Sequence, residues 1–231
     1  MSMLRCAFAF ENLGPRARPK QTRLELGALA NNVNPDERRP RPKGIGLCET
    51  IHHDLTDLWH YGLPIRDRTR LSRANLALYV LDRLDLGRIR WHDLAEQWPR
   101  TEHPGIHEPR SILDVEVEDW RIIVAHAPPV AIGTGPARRE WLDAMVELLS
   151  GPTPVLALTD PNGLGAELVR RLAKPSKGTV VTGGTPVEAV HGVGIVLDSV
   201  HAPGRVNGVP MLTDHRRALL GRARRREDGN K

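Results

Sequence analysis

The sequence predicts an α+β fold in which two packed, mixed β-sheets are flanked by helices. Three observations predict it. Short β-rich apolar runs recur along the whole chain, while clear helical patterns are few. The runs do not alternate regularly with helices, which fits packed sheets better than a single doubly wound sheet. Several of them also end abruptly in polar or ionisable residues, as strands do when a rigid sheet delivers groups to a site at its rim.

At 231 residues, 40% hydrophobic and 26% charged, the chain suits one large globular domain with a substantial core. No apolar run approaches the length of a membrane span, and the N-terminal residues lack the apolar segment of a secretory signal. Cys6 and Cys48 both fall inside predicted strands and are expected to be reduced core residues in a cytoplasmic setting. The formal net charge is +5, and all but five of the 33 basic residues are arginine. A GC-rich genome accounts for much of that ratio, but not for the excess positive charge. Arginine's planar fork grips phosphate at two points, so the balance favours a polyanionic partner.

Taken in order, Leu4 to Phe10 reads as a first core strand ending in Glu11-Asn12. Thr22 to Asn31 has the spacing of a short amphipathic helix, and Asn34 to Lys43 is a Pro- and Arg-rich loop. Gly44 to Cys48 is a second strand that delivers Glu49. His52-His53-Asp54 with His60 matches no zinc spacing and is expected to be exposed. Leu58 to Ile65 and Asn75 to Leu81 read as strands joined by the charged link Arg66 to Arg70. Leu86 to Trp98 reads as a strand and a helical turn, Thr101 to Pro109 as a loop, and Arg110 to Val117 as a strand.

Trp120 to Asn162 is the centre of the pattern. An apolar run ends at His126, a Gly-rich gap leads into a helical pattern from Pro136 to Leu149, and a second apolar run ends at Asp160 and Asn162. Gly133-Thr134-Gly135 is not followed by Gly-Lys-Ser/Thr, which excludes a nucleotide P-loop there. Leu164 to Leu172 reads as a helix, and Thr179 to Thr182 and Val193 to Val200 as strands. A turn-rich segment then leads to Thr213-Asp214-His215 and a short run from Ala218 to Leu220. The domain is expected to span residues 1–221, with 222–231 a charged, disordered tail.

The strand-end series Asn12, Glu49, His126, Asp160 with Asn162, and Asp214 with His215 resembles the endonuclease/exonuclease/phosphatase superfamily, the fold of pancreatic deoxyribonuclease. Phe10-Glu11-Asn12 matches its first motif loosely, and Ile45 to Glu49 its second. Ala125-His126-Ala127-Pro128 is similar to the His-ending strand, Thr159-Asp160-Pro161-Asn162 to the Gly-Asp-Phe-Asn motif, and Thr213-Asp214-His215 to the closing Ser-Asp-His. Arg110 matches a recurrent phosphate-contacting arginine of the nuclease branch.

The resemblance implies a four-layer α/β/β/α sandwich and phosphodiester hydrolysis assisted by Mg²⁺ or Mn²⁺. The residue types suit that chemistry. Glu49, with Asp214 nearby, offers the one or two carboxylates that Mg²⁺ takes while keeping most of its waters. Asn12 and Asn162 orient phosphate or water without adding negative charge. Asp160 positions or deprotonates the nucleophile, and His126 and His215 serve as acid/base or phosphate-binding groups.

The sequence departs from the family in three places. Pro161 and Thr159 replace the aromatic and the glycine of the fourth motif. Ser72-Arg73-Ala74 offers no carboxylate where the deoxyribonuclease branch has one to orient the first histidine. His191 falls where the family has an aspartate that orients the last one. Three readings therefore stand: a nuclease, most simply monomeric; a weakened domain of this fold that binds nucleic acid or a protein partner; and an enzyme for a small phosphate ester.

Overall fold

The computed structural model describes residues 5–10, 12–13, 24–25, 28, 43–50, 68–73, 76–81, 84–94, 111–118, 120–128, 135–151, 153–172, 178–182, 188–190, 194–211 and 219–225. In chain order these form β1 (Arg5–Phe10), β2 (Asn12–Leu13), β3 (Lys43–Thr50), β4 (Arg68–Arg73) and β5 (Leu76–Leu81). Then come β6 (Leu86–Asp93), β7 (Ser111–Val117), β8 (Trp120–His126), α1 (Gly135–Leu149), β9 (Val155–Asp160) and α2 (Gly165–Leu172). The remainder are β10 (Gly178–Thr182), β11 (Glu188–Val190), β12 (Ile195–His201), β13 (Arg205–Val206), β14 (Val209–Pro210) and β15 (Leu219–Arg225).

One sheet has the order β12-β15-β1-β3-β5-β4, with β2 also pairing β3. The other runs β11-β10-β9-β8-β7-β6. Both are mixed: β1 pairs β3 in parallel but β15 antiparallel, and β8, β9 and β10 are parallel beside antiparallel β7 and β11.

The period-2 alternation of strand side chains decides what each face touches. On β8, Trp120, Ile122 and Val124 join Leu156 and Leu158 of β9 and meet Phe8, Leu76, Leu78 and Val80 of the other sheet. These make the inter-sheet core, and burying each such aliphatic side chain is worth about 1.5–3 kcal/mol. The intervening residues Ile123, Ala125, Val155 and Ala157 face the helices instead. α1 covers them with Ala137, Trp141, Leu142, Met145 and Leu149, a stripe at helical spacing, and α2 adds Leu168 and Leu172. On the far side of the first sheet, Leu220 packs with Val206 and with Ala28, which is helical along with Leu24 and Glu25. The expected layering of helices outside two packed sheets is thus present.

Two expectations are corrected. Part of the link read between the expected strands 58–65 and 75–81 is itself a strand: Arg68–Arg73 forms β4, the edge partner of β5. Its recurring charges suit an edge, where charge discourages pairing with another chain. The arginines Arg222, Arg224 and Arg225 are not part of a disordered tail but belong to β15, between β1 and β12. The alternation there is Gly221 and Ala223 inward against Arg222 and Arg224 outward. Gly221 is required because a methyl group at that position would overlap the ring of Phe8. The expected strand 58–65, the expected loops 34–43 and 101–109, and the group His52, His53 and His60 lie outside the described residues, apart from Lys43 at the start of β3.

Candidate active site

β8 and β9 run parallel, and their last rung pairs His126 with Asp160. Both residues share the parity of the inter-sheet core, so both side chains emerge at the C-terminal ends of their strands on the side facing the other sheet. His126 is 2% exposed and Asp160 0%. A carboxylate so buried must be held by donors. One is the backbone N–H of Asn162, which donates to Asp160 Oδ1 at 3.0 Å. His126 Nε2 lies 3.6 Å from Asp160 Oδ2.

Asn162 closes the arrangement. The turn after β9 places it at φ 42° and Gly163 at φ 82°. Left-handed backbone costs an ordinary residue about 1–2 kcal/mol, and asparagine tolerates it through local hydrogen bonds of this kind. Pro161 is buried, and its carbonyl accepts from Leu164 N–H at 2.8 Å, leading directly into α2. The asparagine amide nitrogen is 2.7 Å from the Ala127 carbonyl and 2.8 Å from His126 Nε2. A carbonyl oxygen only accepts, so the amide presents N–H to both. His126 Nε2 is therefore an acceptor, and the neutral ring carries its proton on Nδ1.

One arginine braces this corner, and a second ties down the opposite end of β8. Arg138, in the first turn of α1, donates to the carbonyl of Asn162 at 3.0 Å and also to the carbonyl of Pro128. On the helix-covered face, Arg121 grips Asp114 with two bonds of 2.9 Å and reaches the Leu148 carbonyl at the end of α1, 3.5 Å away. Burial alone would raise the Asp114 pKa, but the hydrogen bonds and charge of Arg121, with a contribution from His92, hold it below the usual carboxylate range. The same pairing raises Arg121.

In the first sheet, Asn12 of β2 is the register partner of Glu49 of β3. Both are oxygen-donor residue types, which suits a hard cation such as Mg²⁺, and a single carboxylate satisfies its modest demand for protein ligands. Among the described residues no three His, Cys, Asp or Glu side chains cluster as a ready-made metal site. The structure thus brings together His126, Asp160 and Asn162, and separately Asn12 and Glu49. Arg110, His191, Asp214 and His215 lie outside the described residues.

One expectation drawn from the motif departures is corrected here. Ser72-Arg73-Ala74 contains no carboxylate in its sequence, yet His126 does not lack a carboxylate neighbour, because Asp160 supplies one from the adjacent strand. Arg138 was not foreseen, since an arginine on the polar side of an amphipathic helix carries no signal of its own.

Two sheets packed face to face, with helices outside, have the arrangement of the DNase I-like fold. Among solved structures the chain is similar to TDP2 of D. rerio complexed with single-strand DNA product, with a TM-score of 0.62 and 10% identity, covering 95% of this chain and 98% of that one. It is also similar to an endonuclease/exonuclease/phosphatase family protein from Bacteroides thetaiotaomicron, at TM-score 0.57 and 13% identity, covering 97% and 99%. A third is the inositol polyphosphate 5-phosphatase domain of SPsynaptojanin in complex with inositol (1,4)-bisphosphate and calcium ion, at TM-score 0.50 and 10% identity, covering 96% and 84%. No protein-family model matches the chain, and no curated protein matches it by sequence. The likeness at these identities is one of fold. No described helix is long and apolar enough to cross a membrane.

Proposed function

We propose that this protein is a metal-dependent phosphodiester hydrolase acting on nucleic acid. The observation that carries the reading is the last rung of β8 and β9, where His126, Asp160 and Asn162 form one hydrogen-bonded group at a strand end of a DNase I-like fold. The Asn12–Glu49 rung of the other sheet supplies the second half of the site in this reading, and Asp214 and His215 are assigned to it on the sequence resemblance alone.

Glu49 and Asp214 are the residues that would hold Mg²⁺ or Mn²⁺, which would supply counter-charge for the developing oxyanion. Asn12 and Asn162 orient the phosphate, and Arg110 contacts it. Asp160 positions the attacking water and takes its proton, while His126 and His215 are the remaining proton-handling groups. The net charge of +5 favours a nucleic-acid substrate over a small ester. The deciding experiment is plasmid nicking with Mg²⁺ and with EDTA, alongside Glu49→Gln. Nicking that needs the metal and is largely abolished in Glu49→Gln supports the reading; cleavage indifferent to both sinks it.

One observation favours a second reading. His126 and Asp160 are sealed from solvent, leaving Asn162 as the half-buried member of the group. With His191 in place of the family's orienting aspartate, this suits a domain that holds nucleic acid and cleaves it slowly or not at all. Binding without nicking selects that reading.

A further inference from the structure

We infer that Arg138 is a positioning residue that sets the geometry of Asn162 and, through it, the proton placement on His126; its catalytic consequence rests on the activity proposed above. The guanidinium sits in the first turn of α1 and donates to two backbone carbonyls from different loops, that of Pro128 just past β8 and that of Asn162 just past β9. No carboxylate pairs with it among the described residues, so its charge is directed at these two oxygens. Such charge-assisted bonds are stronger than neutral ones, and the fork reaches the two carbonyls with two separate nitrogens, Nη1 and Nη2.

Those two loops carry the groups that must stay in register. Asn162 is held at both backbone ends, its N–H by Asp160 Oδ1 at 3.0 Å and its carbonyl by Arg138 at 3.0 Å. This double hold keeps a left-handed residue, φ 42°, from relaxing. With the backbone fixed, the amide nitrogen stays at 2.8 Å from His126 Nε2 and 2.7 Å from the Ala127 carbonyl. Releasing the Asn162 carbonyl frees the turn to rotate. The amide then leaves Nε2, removing the donor that holds this nitrogen as an acceptor and opening it to a proton facing Asp160 Oδ2, 3.6 Å away. Arg138 touches neither ring nor carboxylate, and acts on them only through Asn162.

The test uses the full chain labelled with ¹⁵N, comparing the native protein with Arg138→Lys and Arg138→Met. Lysine keeps the charge but replaces the planar two-nitrogen fork with a single point donor, and it remains informative if the methionine variant unfolds. Long-range ¹H–¹⁵N correlations, with the His126 signals identified from a His126→Gln sample, should show Nδ1 protonated in the native protein. They should show a mixture of tautomers in the folded variants. Mg²⁺-dependent nicking should fall about tenfold to a hundredfold in kcat with little change in KM. A lower unfolding temperature with the His126 tautomer unchanged overturns the inference, because a merely structural role predicts that result. If the native protein does not nick, the activity reading fails, and the tautomer comparison still decides the role of Arg138.

Discussion

His126 and Asp160 are partners on the final rung of a parallel ladder, with Nε2 and Oδ2 3.6 Å apart and both residues buried. That spacing is just beyond a direct hydrogen bond, and the Nε2 lone pair is already engaged by Asn162. Protonation of the ring at Nε2 would turn two facing acceptors into a donor and an acceptor.

Asp160→Asn should therefore lower metal-dependent nicking by at least about a hundredfold, the usual scale for removing an acid/base group. The substitution keeps the acceptor for Asn162 N–H, so folding should survive. Activity within a factor of two of native would remove Asp160 from the chemistry.

Binding to a nucleic-acid oligomer should weaken steeply with salt, because arginines displace condensed counterions from phosphate. Fluorescence anisotropy across a salt titration reports the slope. Affinity that stays flat would point to a small phosphate ester or a protein partner.

Asp114→Asn should destabilise the protein by about 3–5 kcal/mol at neutral pH, since it strips a part-buried arginine of its two-point partner. The pH dependence has a definite sign. The Asp114 pKa is lower in the fold than the ordinary 3.8, so its stabilising effect is complete above that value and is lost as pH falls through the folded pKa. Urea midpoints of the native protein should drop in that acidic window, and the variant's should drop less. Parallel curves would show that the pair contributes nothing to acid sensitivity.

Gly221→Ala should destabilise the inter-sheet core by about 1–3 kcal/mol, because the new methyl group meets the fully buried Phe8 ring. Adding Phe8→Leu should recover part of the loss, a coupling that a double-mutant cycle reads directly. Strict additivity would mean that the two residues do not meet.

Much of this arrangement was legible in the sequence where apolar periodicity is strong. Trp120–His126 and Val155–Asp160 stand where the runs predicted them, and α1 begins one residue before the expected start. Strands that carry few apolar residues were harder to see. β4 reads Arg-Thr-Arg-Leu-Ser-Arg, and β15 alternates small residues with arginines, so both look like solvated charge until their partners are known. The site was half legible for a related reason. Asp160 was singled out as a strand-end acid, but its place beside His126 depends on register, which no single strand encodes. The Arg138 contacts depend on how a helix returns over two loops, and a one-dimensional pattern holds no trace of that.

The place of β15 bears on how quickly the molecule assembles. Arg5 pairs with Arg224 and Phe10 with Leu219, so β1 finds one neighbour only among residues near the opposite end of the chain. β12 likewise waits for β15 before it joins that sheet. Pairings of such long sequence separation close large loops before any contact rewards them, which slows folding relative to locally wired domains. During that interval β1 and β12 are open strand edges, the kind that capture other chains. Refolding yield should accordingly fall as protein concentration rises, and the arginines lining β15 would then serve assembly as much as any ligand.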